Sequence, residues 1–69
     1  MDLKINGETR SFDEDPPTTL SELLDRLEVP AARGVAVAVN DAVIPRGSWE
    51  DQGLTAGDRV EILRATQGG

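Results

Sequence analysis

The alternation of apolar and polar residues predicts how the chain begins. Leu3 and Ile5 alternate with polar neighbours, which is the period of a strand with one buried face. Asn6-Gly7 follows, and this dipeptide favours a type I′ hairpin turn because both positions need positive φ. The next residues are polar until Phe12. They predict a returning edge strand, with Phe12 packed over the core.

A helix is predicted after the proline-rich loop that follows this hairpin. Thr19 and Glu22 have the spacing of a capping box, in which the threonine hydroxyl accepts from the Glu22 amide and the glutamate reaches back. The apolar residues that follow have the i, i+3, i+4, i+7 spacing of one helical face: Leu20, Leu23, Leu24 and Leu27. Pro30 predicts the end of this helix.

The second half of the chain predicts further strands. Residues 35–39 place valine on one face and alanine on the other. Asn40-Asp41 predicts a turn, and residues 42–44 predict a short return strand. Residues 58–64 predict the last strand, in which the apolar face packs on the core.

The connector between these strands is irregular, and three of its residues have predicted roles. Leu54 is expected to plug the core, and Trp49 is expected to cover the edge of the core. Arg46 is a candidate for partner docking, with a structural role as a loop anchor as the alternative.

A hairpin, one helix and two or three further strands indicate an α+β fold with two layers, because the leucine stripe has only one sheet to cover. This is the β-grasp (ubiquitin-like) arrangement, a mixed sheet of four to five strands with one crossover helix. The last strand can lie beside the first in the middle of the sheet. Residues 1–65 are therefore predicted to form the domain, and residues 66–69 a flexible tail ending in Gly-Gly.

Composition excludes several classes of function. The chain has 69 residues, with 13 acidic and 7 basic side chains and a formal net charge of −6. This balance argues against nucleic acid as a partner, since phosphates attract basic surfaces. No apolar run approaches the roughly 18 residues of a membrane span, and no signal peptide is apparent. We expect a cytoplasmic protein that is a monomer on its own.

The side chains offer little catalytic chemistry. There is no cysteine or histidine, so the commonest nucleophile–base pairs and metal ligands are missing. Ser11, Ser21 and Ser48 therefore have no histidine to activate them. The paired carboxylates lie in predicted loops without an apolar pocket that would raise a pKa. We expect no internal catalytic residue and no metal site, which leaves the carboxylate of Gly69 as the leading candidate for a reacting group.

A partner surface is predicted on the sheet face that points away from the helix. Ala36, Ala38 and Leu63 alternate with the core-facing residues of their strands. Small side chains beside an exposed leucine favour a smooth docking surface. The alternative is ordinary scattered surface apolarity, which needs no partner.

Several stretches together resemble the ThiS family of sulfur carriers in thiamine biosynthesis, over essentially the whole chain. They are residues 19–24 (TLSELL), 37–40 (VAVN) and 43–46 (VIPR), with Trp49, Leu54, Gly57-Asp58 and Gly68-Gly69. The chain differs from the family pattern in an acidic, proline-rich loop at residues 13–17 and in the connector that precedes the two terminal glycines.

The resemblance implies a carrier rather than an enzyme. An adenylyltransferase of the ThiF type, like the ubiquitin-activating enzymes, would consume ATP and Mg to adenylate Gly69. A persulfide donor would then leave a thiocarboxylate there, and a ThiG-like thiazole synthase would take up its sulfur. Gln67 and Gly68 would thread through the partners' active-site channels, and no bound cofactor is implied.

Three other functions remain open at the sequence level. The small subunit of molybdopterin synthase has a similar size, fold and Gly-Gly end, although Pro45-Arg46 and Trp49 favour the thiamine branch. A ubiquitin-like protein modifier would use the same terminal glycine to form an isopeptide bond. A binding module with an inert tail would not use Gly69 at all.

Overall fold

The computed structural model describes residues 1–29 and 34–64, with five strands, one α-helix and a short 3₁₀ helix. In chain order these elements are β1 (Asp2–Ile5), β2 (Glu8–Ser11), α1 (Leu20–Arg26), β3 (Val35–Val39), β4 (Ala42–Ile44), the 3₁₀ helix (Arg46–Ser48) and β5 (Arg59–Arg64).

The strands form one mixed sheet in the order β2-β1-β5-β3-β4. β1 and β5 run parallel, whereas β2 on β1, β3 on β5 and β4 on β3 are antiparallel. The last strand therefore lies in the centre of the sheet beside the first, as the sequence predicts. The β-grasp fold is confirmed, with five strands.

Each of the two hairpins, β1–β2 and β3–β4, is closed by a turn that begins with an asparagine. Asn6 and Gly7 have φ of 50° and 84°, and Asn40 and Asp41 have φ of 50° and 72°. Positive φ at both central residues is the signature of a type I′ turn, whose twist matches that of the flanking strands. Both predicted turns are confirmed.

The start of α1 is capped by two threonines. The Glu22 amide donates to the Thr19 hydroxyl at 3.2 Å, as predicted. The Glu22 carboxylate reaches back one residue further than a capping box requires, and it accepts from the Thr18 amide at 2.9 Å and the Thr18 hydroxyl at 3.2 Å. The bond to Thr19 satisfies an amide that the first helical turn leaves unpaired, and the bonds from Thr18 fix the residue just before the cap.

The end of α1 corrects the prediction from Pro30. The helix stops at Arg26, because Glu28 takes the left-handed conformation with φ 59°. The Glu28 amide donates to the Asp25 carbonyl at 3.1 Å, and the Val29 amide donates to the Leu24 carbonyl at 2.9 Å. This pair of bonds is a Schellman motif. Pro30 itself lies outside the described residues.

The core lies between α1 and one face of the sheet. Its buried residues are Leu3, Ile5, Leu20, Leu23, Leu24, Val29, Val37, Val39, Trp49 and Val60. Phe12 and Leu54 are partly buried against this cluster, in agreement with their predicted roles. Trp49 is more deeply placed than a cover at the edge, with 4% of its surface exposed.

The segment after β4 is fastened to the start of α1. The Leu20 amide donates to the Gln52 carbonyl at 2.9 Å, and the Ser21 amide donates to the Trp49 carbonyl at 3.1 Å. The Trp49 indole donates to the Ile44 carbonyl at 2.9 Å. The irregular connector thus satisfies donors of the first helical turn while burying its tryptophan.

Candidate functional site: the end of β5 and the docking face

The predicted reacting group lies outside the described residues. Gly69, Gly68 and Gln67 fall in that part of the chain, and so does the predicted domain boundary after Ala65. The described chain reaches Arg64, the last residue of β5. The structure therefore describes the strand that precedes residues 65–69. The roles of Gly69, Gly68 and Gln67 stay predictions.

β5 is held by the side chain of Asn6 as well as by its two neighbouring strands. The Ile62 amide donates to Asn6 Oδ1 at 2.7 Å, and Asn6 Nδ2 donates to the Ile62 carbonyl at 3.3 Å. The backbone amide of Asn6 donates to the Val60 carbonyl at 2.9 Å. The asparagine side chain thus continues the bonding pattern of β1 beyond the end of that strand.

A second asparagine fixes the start of β5. The Arg59 amide donates to Asn40 Oδ1 at 2.9 Å, and the Asn40 amide donates to the Arg59 carbonyl at 2.7 Å. Asn40 Nδ2 donates to the Asp58 carboxylate at 3.0 Å. Each of the two asparagine turns therefore binds β5, at its first residue and near its middle.

The Asp58 carboxylate closes the turn that leads into β5. It accepts from the Thr55 amide at 2.8 Å, and Gly57 takes a φ of 89° in the same turn. Partial burial by itself raises the pKa of Asp58, but hydrogen bonds from Asn40 and from the Thr55 amide and hydroxyl outweigh it and hold the pKa below the ordinary 3.8. Asp58 is therefore ionised at neutral pH and acts as a structural acceptor.

The sheet face opposite the helix carries an apolar surface that we call the docking face, formed by Ala36, Ala38, Val43 and Leu63. Ala36 pairs with Leu63 across β3 and β5, and Ala38 pairs with Val43 across β3 and β4. Val43 and Leu63 are 75% and 68% exposed and are the large hydrophobic residues most open to solvent in the described chain.

The docking face contains a shallow depression of about 200 Å³, and its described lining includes all four docking-face residues. The alanines form its floor, because their small side chains leave room between the exposed valine and leucine. The structure thus brings Ala36, Ala38 and Leu63 together as predicted. Their docking role stays a prediction.

Val43 was missed as a docking-face residue. The signal was available, because the turn at Asn40-Asp41 places Val43 opposite Ala38 in an antiparallel pair. Residues that lie directly opposite each other in an antiparallel pair have their side chains on the same face of the sheet. The sequence pattern alone predicts a short return strand at residues 42–44 and assigns Val43 to neither face.

Acidic residues border the docking face. Asp41 and Glu61 line the same depression. Asp41 also accepts from the Arg59 guanidinium at 2.7 Å, in an ion pair whose two side chains are both more than half exposed. The surface is thus apolar at its centre with two carboxylates at its edge.

Arg46 does not join the other predicted docking residues. It begins the 3₁₀ helix after β4, is exposed, and is not among the described residues that line the depression. Its position beside the buried Trp49 fits the alternative role as a loop anchor.

Within residues 1–29 and 34–64, no group of three or more His, Cys, Asp or Glu residues is arranged to hold a metal ion. In the same residues, no helix has the length and apolar character needed to cross a membrane.

Comparisons with solved structures agree closely with this fold. The crystal structure of the thiamine biosynthesis protein ThiS from Geobacter metallireducens matches with a TM-score of 0.84 and 33% identity, over 100% of both chains. A solution NMR structure of a thiamine biosynthesis protein from the same organism matches with a TM-score of 0.82 and 33% identity, over 100% of this chain and 88% of that one.

Sequence comparisons extend this similarity. The chain is 38% identical over 69 residues to the thiazole synthase of Paramagnetospirillum magneticum, a match that takes in all of this chain and 20% of that protein. The chain thus spans about a fifth of the length of that curated relative. The model of the ThiS family matches residues 3–69. Since this match leaves out only the first two residues, the chain belongs to the ThiS family.

Proposed function

We propose that this protein is a sulfur carrier for formation of the thiazole moiety of thiamine. The observation that carries the proposal is the match of residues 3–69 to the ThiS family. The likeness to thiamine biosynthesis proteins over the whole chain supports the same function. These comparisons favour the thiamine branch over molybdopterin synthesis.

The reacting group in this proposal is the carboxylate of Gly69. A carboxylate is a poor electrophile, so an adenylyltransferase first transfers AMP to it from ATP, with Mg, and releases pyrophosphate. A persulfide donor then attacks the acyl-adenylate and AMP leaves. A second thiol then attacks the donor's sulfur in this acyl disulfide, so that the donor and the second thiol end as a disulfide and a thiocarboxylate is left on Gly69. This chemistry requires Gly69 to carry a free carboxylate, and it needs no catalytic side chain in the carrier.

In this proposal, Gly68 and Gln67 allow the Gly69 carboxylate to reach the active sites of the partner enzymes. Glycine has no Cβ, so the backbone at Gly68 can approach closely to the walls of a narrow channel. The position of β5 supports the same idea, because the strand that leads to these residues is bound on both sides and by two asparagine side chains. A fixed base would present the last residues in one direction to each partner.

A ThiG-like thiazole synthase is the proposed acceptor of the sulfur. The Paramagnetospirillum relative supports this pairing, because a protein named as a thiazole synthase contains a segment similar to the whole of this chain. The docking face would bind both the adenylyltransferase and the thiazole synthase, with Leu63 and Val43 as the apolar contacts. Its acidic border would favour partners with basic residues around an apolar patch, mainly by raising the rate of encounter.

Intact-mass measurement tests this proposal. The protein is incubated with ATP, Mg, its cognate adenylyltransferase and a persulfide donor, and we expect the mass to rise by the difference between one sulfur and one oxygen. Deletion of Gly69 provides the matched control, because it shortens the tail by one residue and moves the terminal carboxylate to Gly68, while the described residues keep their sequence. An unchanged mass for the full-length protein would contradict the proposal.

A further inference from the structure

A second surface lies behind the docking face, on the helix side of the sheet. It is a groove of about 500 Å³ between the end of α1 and the ends of β1, β2 and β5. We call it the arginine groove, after Arg10, Arg26 and Arg64 in its lining. Its other described lining residues are Ile5, Asn6, Leu27, Glu28, Val29 and Ile62.

The charge of this groove is opposite to that of the whole protein. The chain has 13 acidic and 7 basic side chains, yet three arginines and only one glutamate line the groove. Arg26 is held in place by the loop before α1, where it donates to the Asp15 carbonyl and lies 3.7 Å from the Asp15 carboxylate. The side chains of Arg10 and Arg64 form no hydrogen bond or ion pair with the other described residues. Within the described chain, these two guanidinium groups therefore have no carboxylate partner.

Strand geometry explains why these arginines converge. Arg10 pairs with the buried Leu3, and Arg64 pairs with Val35, so both lie on the helix side of the sheet. α1 is short and ends at Arg26, so this helix does not extend further over this end of the sheet. Ile5 and Ile62 add apolar side chains to the lining of the groove.

The arginine groove and the docking face meet at the end of β5. Successive side chains of a strand point to opposite faces. Leu63 therefore belongs to the docking face, and Arg64 belongs to the arginine groove. Arg64 is the last described residue, so a protein that binds this end of β5 lies next to both surfaces.

We propose that the arginine groove receives an acidic segment of the adenylyltransferase that activates Gly69. The proposal rests on the proposed function. It adds a second contact, which favours acidic residues of the partner, whereas the border of the docking face favours basic ones. Guanidinium groups bind carboxylates through paired, charge-assisted hydrogen bonds, which suits a segment with aspartate or glutamate side chains. The adenylyltransferase would then hold the end of β5 from both faces of the sheet.

Charge reversal at Arg10 and Arg64 tests this contact. Arg10→Glu, Arg64→Glu and the double variant are compared with Lys4→Glu, which makes the same charge change at a residue that lines neither the groove nor the depression of the docking face. The readout is ATP–pyrophosphate exchange by the cognate adenylyltransferase, with KM for the carrier and kcat determined at low and high salt. Circular dichroism verifies that each variant is folded, and Arg10→Gln and Arg64→Gln provide milder replacements.

We expect each reversal to raise KM by about tenfold at low salt while kcat stays unchanged, because the contact acts in encounter and binding. Raising the salt concentration should raise KM of the wild type and reduce this difference. Lys4→Glu should stay close to the wild type, and the glutamine variants should fall in between.

Three results would overturn the inference. The first is an effect no larger than that of Lys4→Glu. The second is a loss of kcat at unchanged KM, or a defect confined to sulfur delivery to thiazole synthase. The third is a wild-type dimer in sedimentation that Arg64→Glu dissociates, which would make a second copy the occupant. Failure of the proposed function itself would look different, since the wild type would then support no exchange.

Discussion

The two faces of β5 show how one strand divides its residues between stability and recognition. On the helix side, Val60 is fully buried and Ile62 is packed against the core. On the other side, Glu61 and Leu63 are exposed on or beside the docking face. Because buried and exposed residues alternate along the strand, a substitution by a charged residue should unfold the protein at a buried position and leave the fold intact at the next, exposed one.

The largest expected effect comes from a charge on the buried side. Val60→Asp would place an unpaired carboxylate at a position with 0% exposure. Leaving such a charge uncompensated costs about 3–5 kcal/mol, which matches the roughly 3–5 kcal/mol that a core supplies in a domain of this size. We expect circular dichroism to show a largely unfolded chain at room temperature. A folded protein with a sharp thermal transition would contradict the assigned faces.

The matched change on the exposed side should leave the fold intact. Leu63→Asp alters a side chain that is 68% exposed, so its thermal midpoint should stay near that of the wild type. If Leu63 is a central docking contact, kcat/KM for sulfur loading should fall at least about thirtyfold, equivalent to about 2 kcal/mol. Unchanged loading by this folded variant would remove Leu63 from the docking face.

A smaller loss of stability is expected from changing Asn6, whose side chain bonds Ile62 of β5. Asn6→Ala removes the two side-chain bonds to Ile62 and places alanine at φ 50°. We expect a loss of about 1–2 kcal/mol in the free energy of unfolding, measured by urea denaturation. Asn6→Gly is the control, because it loses the same bonds but tolerates the backbone conformation. Equal losses in the two variants would exclude a contribution from backbone strain.

The smallest effect is a pH dependence at the start of β5. The folded pKa of Asp58 lies below the ordinary 3.8, so its contribution to stability is present above that pH. The contribution is lost as the pH falls from near 3.8 through the lowered folded pKa, because the unfolded chain binds the proton first. Urea denaturation across this range should show a shallower loss of stability for Asp58→Asn than for the wild type. Parallel curves would contradict the assigned role of Asp58.

Local patterns were sufficient to predict most of the fold. The alternation around Val37 and Val60, the two asparagine turns and the leucine stripe are each encoded within a few neighbouring residues. Together they require one helix on one sheet, and they separate the core face from the docking face.

The sequence did not predict two kinds of feature. One is contacts between residues far apart in the chain, and the other is backbone conformations that are unusual for the residue type. Glu28 ends α1 in the left-handed conformation, which glycine usually adopts, so Pro30 was wrongly taken as the end of the helix. The bonds from Asn6 to Ile62 join residues 56 positions apart. The arginine groove likewise draws its basic residues from three different elements, so no stretch of sequence indicates it.

Transfer of labelled sulfur tests the central claim most directly. The protein is loaded on Gly69 with isotopically labelled sulfur and incubated with the cognate thiazole synthase and its other substrates, and the products are followed by mass spectrometry. The account predicts that the label enters the thiazole ring while the carrier returns to its original mass. Label that stays on the carrier, or a carrier that becomes joined to lysines of other proteins, would contradict a role as sulfur carrier.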